Sequence, residues 1–372
     1  MLTGGGTGGH IFPLLAVVEE LRMSDNSCSF HWFGSKRTEA QIVPEAGIQG
    51  TFSGFTFSYR KLSLSSLSYY LRVLPAWLLG IPFWTALTAI QRFKPHVVLA
   101  SGGYVSAPML MAAKAAGIPI AIVEINGVPG RVATAYASKA ARVYCATEGI
   151  AAQFGRASAT AKLVTGFPVM KPVLAPSEAR VHFGVPPDIP ILVVQGGSSG
   201  SSHVNQSIAA LIGDEAFAAA HGRDLAILHQ CGASTECGPS QGNKAWPYYR
   251  MVGFDKHLSS IYSTCSLYFG RSGASTIGEL IAAKLPAVLM PYTLHADKQQ
   301  YRNAEIISGV GAAIVLEESD SAFIDKLRTA IEECIFGAQG AAMREGYMHL
   351  QAGGAKAIAE DLSVKFGRGK GK

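Results

Sequence analysis

A histidine ends the densest glycine run in the chain, Gly4-Gly5-Gly6-Thr7-Gly8-Gly9-His10, and Pro13 then opens an apolar run. Histidine ordinarily titrates near neutrality, so His10 on a ligand-facing loop is a candidate general base. Glycines at this density let backbone N–H groups come close to a ligand. A helix starting behind them adds orphan N–H groups and the positive end of a dipole. The pattern suits an anion or a polar ligand. Gly4, Gly6 and Gly9 also fit the GxGxxG spacing, but the next apolar run ends Phe33-Gly34-Ser35 without the carboxylate that a dinucleotide ribose needs. A dehydrogenase site is disfavoured.

Three more glycine loops follow apolar runs: Ser101-Gly102-Gly103-Tyr104, Gly196-Gly197-Ser198-Ser199-Gly200 and Gly270-Arg271-Ser272-Gly273. In the last, Arg271 and the hydroxyls of Ser275 and Thr276 gather at a predicted helix start. Charge-assisted hydrogen bonds there suit a diphosphate. Glu279, one turn on, could accept from a ribose diol or simply complement the helix dipole. Gln299 and Gln300 offer the donors and acceptors that sugar hydroxyls require, or else open an ordinary amphipathic helix.

Positioning such loops takes strand–loop–helix units. Apolar runs predict strands at Phe30–Phe33, His96–Ala100, Ile118–Val123 and Arg142–Cys145, with a helix over 13–22. Pro168, Pro172, Pro176, Pro186, Pro187 and Pro190 mark a boundary. The pattern restarts with Ile191–Gln195, Leu225–His229, Ser266–Phe269 and Ala287–Met290, and closes with helices over 322–335 and 341–363. The expected fold class is α/β: two Rossmann-like, doubly wound domains facing across a cleft, at 1–166 and 167–340, with a C-terminal helix and basic tail at 341–372. So little precedes the first glycine loop that the first strand, normally central, is predicted to be missing or a stub.

The chain has 372 residues, 48% hydrophobic and 16% charged, which supports large cores and excludes disorder. Of the net charge of +6, four charges come from Lys365, Arg368, Lys370 and Lys372. The body is only mildly basic, no basic helix stands out, and nucleic-acid binding is not expected. Cys28, Cys145, Cys231, Cys237, Cys265 and Cys334 show no metal-ligand spacing and read as free or buried thiols. No secretory leader is expected. Between Arg72 and Arg92 the chain carries no charge. That length touches the roughly 18 residues of a membrane span. Pro75, Gly80 and Pro82, with Tyr69, Tyr70, Trp77, Trp84, Arg60 and Lys61, favour an interfacial surface instead; a buried helix pair is the other reading.

Taken together, Gly5-Gly6-Thr7-Gly8-Gly9-His10-Ile11-Phe12-Pro13, Gly102-Gly103-Tyr104-Val105-Ser106, Gly196-Gly197-Ser198, Arg271-Ser272-Gly273-Ala274 and Asp297-Lys298-Gln299-Gln300-Tyr301 resemble the MurG family. These are inverting N-acetylglucosaminyltransferases of peptidoglycan synthesis with the GT-B fold. The resemblance implies that UDP-N-acetylglucosamine (UDP-GlcNAc) binds the second domain. Gly197, Ser198, Arg271, Ser275 and Thr276 would surround the diphosphate, Glu279 the ribose, and Gln299 and Gln300 the sugar. It implies that lipid I, undecaprenyl-pyrophosphoryl-MurNAc-pentapeptide, meets the first domain along Thr7, Gly8, Gly9, His10, Tyr104, Glu124 and Asn126. The aromatic stretch near 66–87 would lie on the cytoplasmic membrane face. No metal or other cofactor is implied. Three segments depart from the family pattern. Val123-Glu124-Ile125-Asn126-Gly127 replaces His-Glu-Gln-Asn-Gly, Met170 stands where arginine is usual, and Ser199 where glutamine is. Alternatives are another GT-B transferase moving a UDP-sugar to a lipid such as diacylglycerol, and a non-catalytic nucleotide-sugar binder.

Overall fold

The computed structural model describes residues 1–54, 79–155, 161–197, 200–232, 244–293 and 298–367. The chain forms two compact units, Met1–Met170 with Gln351–Lys372, and Lys171–Leu350.

The first unit carries a seven-stranded sheet of β1 (Leu2–Thr3), β2 (His31–Ser35), β3 (Gln49–Ser53), β4 (Val98–Ala100), β5 (Ile120–Glu124), β6 (Arg142–Cys145) and β7 (Lys162–Val164). The order is β3-β2-β1-β4-β5-β6-β7 and every pairing is parallel. β1 is the expected stub, and it is central: Leu2 lies opposite Trp32 and Leu99, and Thr3 opposite Phe33 and Ala100. The chain runs outward from β1 to one edge and then from β4 to the other. Loops after β1 and β4 therefore flank the crevice where doubly wound sheets bind ligands. Those loops are Gly4–His10 and Ser101–Gly103.

The second unit repeats the plan with β8 (Ile191–Gln195), β9 (Ala226–Gln230), β10 (Tyr249–Val252), β11 (Leu267–Gly270), β12 (Ala287–Leu289) and β13 (Ala313–Val315), ordered β10-β9-β8-β11-β12-β13. All pairings are again parallel. The switch point falls between β8 and β11, which puts Gly196–Gly200 and Arg271–Gly273 side by side. A Cβ on Gly270 would sit 2.0 Å from the Gln195 carbonyl oxygen, so only glycine lets these strand ends approach. The strands pack on a core that includes Leu192, Val194, Ile227, Leu267, Phe269, Val288, Leu327 and Ile331.

The C-terminal segment corrects the expected boundaries. Residues 341–363 are not one helix. Gln339–Gly346 packs in the second unit, Gly353 turns with φ 87°, and Gly354–Phe366 returns to the first unit. Gly354 donates its N–H to Phe167 O at 3.1 Å. Asp361 then ties this helix to β6, accepting from Arg142 Nε at 2.8 Å and from Tyr144 OH at 2.8 Å. Cutting a partly buried cluster of this kind costs about 1–3 kcal/mol. Asp361→Ala should lower unfolding stability by that amount in a urea titration, and an unchanged midpoint would show that the tie is idle. Cysteine usage also differs from expectation: Cys28, Cys145, Cys265 and Cys334 are free thiols, but Cys231 is disulfide-bonded.

Candidate active site

In the first unit, the glycine loop is held from both neighbouring strands. Trp32 Nε1 donates to Gly4 O at 3.2 Å. Glu39, fully buried at the start of the short helix Glu39–Glu45, accepts from Gly6 N–H at 3.2 Å and from Ser35 N–H at 2.7 Å. On the β4 side, the Ser101 hydroxyl donates to His10 O. Gly103 turns with φ 77°, and a Cβ there would lie 2.9 Å from Gly5 O.

These contacts fix His10. It ends the 3-10 turn Gly8–His10, ahead of the helix Phe12–Ser24, and its ring lies against Gly102 and Gly103. His10 Nδ1 is 2.8 Å from Ser101 O. A carbonyl only accepts, so in the neutral ring Nδ1 carries the proton and Nε2 keeps its lone pair. That is the tautomer a general base needs. Thr7 is exposed and Gly8 and Gly9 are half-buried beside it. Tyr104, 44% exposed, opens the turn that follows Gly103.

Glu124 and Asn126 sit differently from expectation. Glu124 ends β5 and is 2% exposed. Its carboxylate accepts from Asn126 N–H and Asn126 Nδ2, both at 2.9 Å, and from Gly130 N–H at 2.8 Å. Both side chains thus help to organise their own loop. Burial raises the Glu124 carboxyl above its ordinary range; the three bonds and the charge of a protonated His10 pull it partly back. Val123 and Ile125, which replace polar residues of the family pattern, are both buried.

In the second unit, Gly196 and Gly200 pin the loop after β8. A Cβ would lie 2.4 Å from Ser201 N at the first and 2.2 Å from Cys231 O at the second. Gly197, with φ 90°, faces open space. Ser198 lies outside the described residues, as do Asp297 and most of the 66–87 stretch. The helix Ala274–Ala283 begins at Gly273 beside this loop. Ser275 Oγ there is buried, and among the described residues it has no hydrogen-bond partner. Such an atom loses its hydration without compensation unless a ligand supplies it. Thr276 and Glu279 are half-buried on the same helix, and burial pushes the Glu279 carboxyl up to about 7.

Arg271 is the second departure. Its guanidinium does not reach out toward a diphosphate. It is buried, donates to Met290 O at 3.0 Å and Glu318 Oε2 at 3.1 Å, and lies over the Tyr292 ring at 5.4 Å. Glu318 also pairs with His203 in the first turn of the helix Ser202–Gly213. Arg271 therefore joins β11 to the loop after β12. Gln299 and Gln300 open the helix Gln299–Ser308. Gln300 Oε1 accepts from Tyr292 N–H at 2.9 Å, and the Ser272 hydroxyl donates to Gln300 O at 2.8 Å. This bolts the paired amides to the Arg271 loop. Glu39 and Glu318 escaped the sequence reading because neither stands in a glycine loop; each is a distant carboxylate that only the fold brings home.

Residues 1–145 match the family model for the glycosyltransferase family 28 N-terminal domain, and residues 191–362 match that for the family 28 C-terminal domain. The chain belongs to glycosyltransferase family 28. Curated family 28 relatives include proteins of Magnetococcus marinus and Cronobacter sakazakii. Each is named UDP-N-acetylglucosamine–N-acetylmuramyl-(pentapeptide) pyrophosphoryl-undecaprenol N-acetylglucosamine transferase. They are 32% and 35% identical to this chain, over 89% and 86% of it and 88% and 84% of their own lengths. The resemblance to the MurG family is thereby borne out. The crystal structure of Acinetobacter baumannii MurG shares the GT-B fold, with a TM-score of 0.66 at 21% identity and 98% of each chain covered.

Proposed function

We propose that this family 28 chain moves GlcNAc from UDP-GlcNAc to the 4-hydroxyl of MurNAc in lipid I, producing lipid II. The observation that carries this reading is similarity to transferases of that name over nearly nine-tenths of both chains. The site chemistry supports it. His10 Nε2 takes the hydroxyl proton as the oxygen attacks the anomeric carbon. The bond to UDP breaks on the opposite face, and the configuration inverts to β-1,4. UDP leaves as an anion, met by the Gly197 loop and by Ser275 and Thr276 at a helix N-terminus. Glu279 receives the ribose diol, and Gln299 and Gln300 the sugar. In this reading helix dipoles and N–H groups carry the diphosphate charge, so a chelator should leave the rate unchanged.

The test is UDP release and product formation by the purified chain with UDP-GlcNAc and a lipid I analogue. Turnover with diacylglycerol but not lipid I would replace this reading with that of another lipid-directed transferase. The buried apolar Val123 and Ile125, with Met170, favour a second reading, a nucleotide-sugar binder without activity. UDP-GlcNAc binding without turnover on any acceptor is its signature.

We further propose that the first unit rests on the cytoplasmic membrane surface. Leu79, Ile81 and Trp84 are 71%, 36% and 60% exposed around the start of the helix Ile81–Phe93. Met111 is exposed on the neighbouring helix Ala107–Ala115, which packs against it. Apolar side chains grouped this way lose free energy in water and gain it at a lipid interface. Among the described residues no helix is long and apolar enough to cross a membrane. The double variant Leu79→Ser, Trp84→Ser should bind phosphatidylglycerol vesicles roughly tenfold more weakly in a flotation assay, with solution folding intact. Unchanged binding would move the contact elsewhere.

A further inference from the structure

The reaction as read uses His10, but its loop is also held by a carboxyl group from outside every glycine motif. Glu39 is completely buried between the first glycine loop and β2. Its Oε2 accepts from Gly6 N–H at 3.2 Å, and its Oε1 from both the N–H and the hydroxyl of Ser35. The surrounding glycines are shaped to it. A Cβ on Gly5 would lie 2.3 Å from Glu39 Oε1, and one on Gly34 would lie 2.8 Å from its Cγ. A carboxylate is costly to bury, and three donors are what compensate it. The fold thus commits a buried carboxyl group to joining the Gly6 amide of the loop to Ser35 of β2.

That orientation has a consequence four residues on. With Gly6 N–H turned inward to Glu39, Thr7 is turned outward and exposed. His10 N–H closes onto Thr7 O at 3.1 Å and Ile11 N–H onto Gly8 O at 2.9 Å, which sets the turn that carries the imidazole. Among the described residues, the amides of Thr7, Gly8 and Gly9 have no acceptor, so they remain available to an anionic or hydroxylic ligand. Ser101 fixes the His10 end of this segment, and Glu39 fixes its Gly5–Gly6 end. The loop is pinned at both ends and open in the middle.

We propose that Glu39 is a positioning residue for the transfer reaction: its buried carboxylate holds the Gly5–Gly6 turn so that His10 Nε2 and the Thr7–Gly9 amides meet the acceptor in reacting geometry. This rests on the reading of the first unit as the acceptor side. Glu39→Gln keeps the shape but turns an NH2 group toward a donor, so one of the two ends must let go. Glu39→Asp keeps the charge and withdraws it by one methylene.

The test compares both variants with wild type and with Asp361→Ala, which loosens the same unit far from the loop. Wild-type turnover of the lipid I analogue is established first; its absence would sink the functional reading, and the role of Glu39 with it, before any variant is compared. Thermal melting gives the folded fraction, and kcat is expressed per folded molecule. The expected result for Glu39→Gln is a kcat at least tenfold lower, a raised acceptor KM, and UDP-GlcNAc affinity within twofold of wild type. Glu39→Asp should recover part of that loss, and Asp361→Ala should keep wild-type kcat per folded molecule. A Glu39→Gln kcat within threefold of wild type, or a loss matched by Asp361→Ala at equal melting temperature, would overturn the proposal.

Discussion

Replacing His10 with alanine is expected to lower kcat by about 10²–10⁴-fold, the usual worth of a positioned general base, while UDP-GlcNAc affinity stays within about twofold. The separation follows from the division of the chain. His10 stands in the first unit, whereas the proposed donor contacts at Gly197, Ser275, Thr276 and Glu279 all belong to the second. The size of the effect follows from how the ring is held. Ser101 O accepts from the Nδ1–H at 2.8 Å, so the unprotonated Nε2 is set without a search among tautomers. Alanine removes the base and leaves the loop backbone, which Glu39, Trp32 and Gly103 hold independently. Isothermal titration with UDP-GlcNAc and steady-state rates with a lipid I analogue separate the two quantities. Turnover within threefold of wild type would remove His10 as the base.

How far the sequence disclosed this arrangement differs between its centre and its edges. Strands β4, β5, β6, β8, β9, β11 and β12 were legible because they are buried on both faces and read as unbroken apolar runs. The four strands it did not disclose, β3, β7, β10 and β13, are the four sheet edges. Lys162–Val164 and Ala313–Val315 are only half-buried throughout, and Gln49–Ser53 begins exposed. An edge strand owes its conformation to one neighbour and needs no continuous apolar signature. In the site, the glycine loops were legible because close approach leaves no substitute for glycine. The charged residues were not. Arg271 and Glu124 look like ligand-binding groups in a list of motifs, and both are consumed by internal partners, Glu318 for one and the 126–130 loop amides for the other. Conversely, Ser275 Oγ, unpaired among the described residues, and the half-buried Glu279 show their meaning only through what surrounds them.

Glu279 carries the second large effect, and its sign can be worked out. Burial moves its carboxyl from 4.5 to about 7, so near neutral pH the free enzyme is divided between the acid and the carboxylate. A ribose diol presents two O–H donors, which a carboxylate accepts and a protonated acid accepts less well. Donor binding in the proposed site therefore releases a proton, and affinity should rise with pH up to about 7 and level off above it. Full coupling predicts UDP-GlcNAc binding about tenfold weaker at pH 6 than at pH 8. Glu279→Gln should bind more weakly at every pH and show no such slope. Glu279→Ala, which leaves both hydroxyls without an acceptor, should raise the donor KM by about 100-fold. Folding stability moves the other way. Between pH 4.5 and 7 the native state holds a proton that the unfolded chain has lost, so the unliganded protein is destabilised as pH rises through that window, by up to about 3 kcal/mol. Glu279→Gln should be the more stable protein above pH 7 and the poorer binder, a combination that loss of packing alone does not produce. Donor affinity that is flat from pH 6 to 8 in the wild type would take Glu279 away from the ribose.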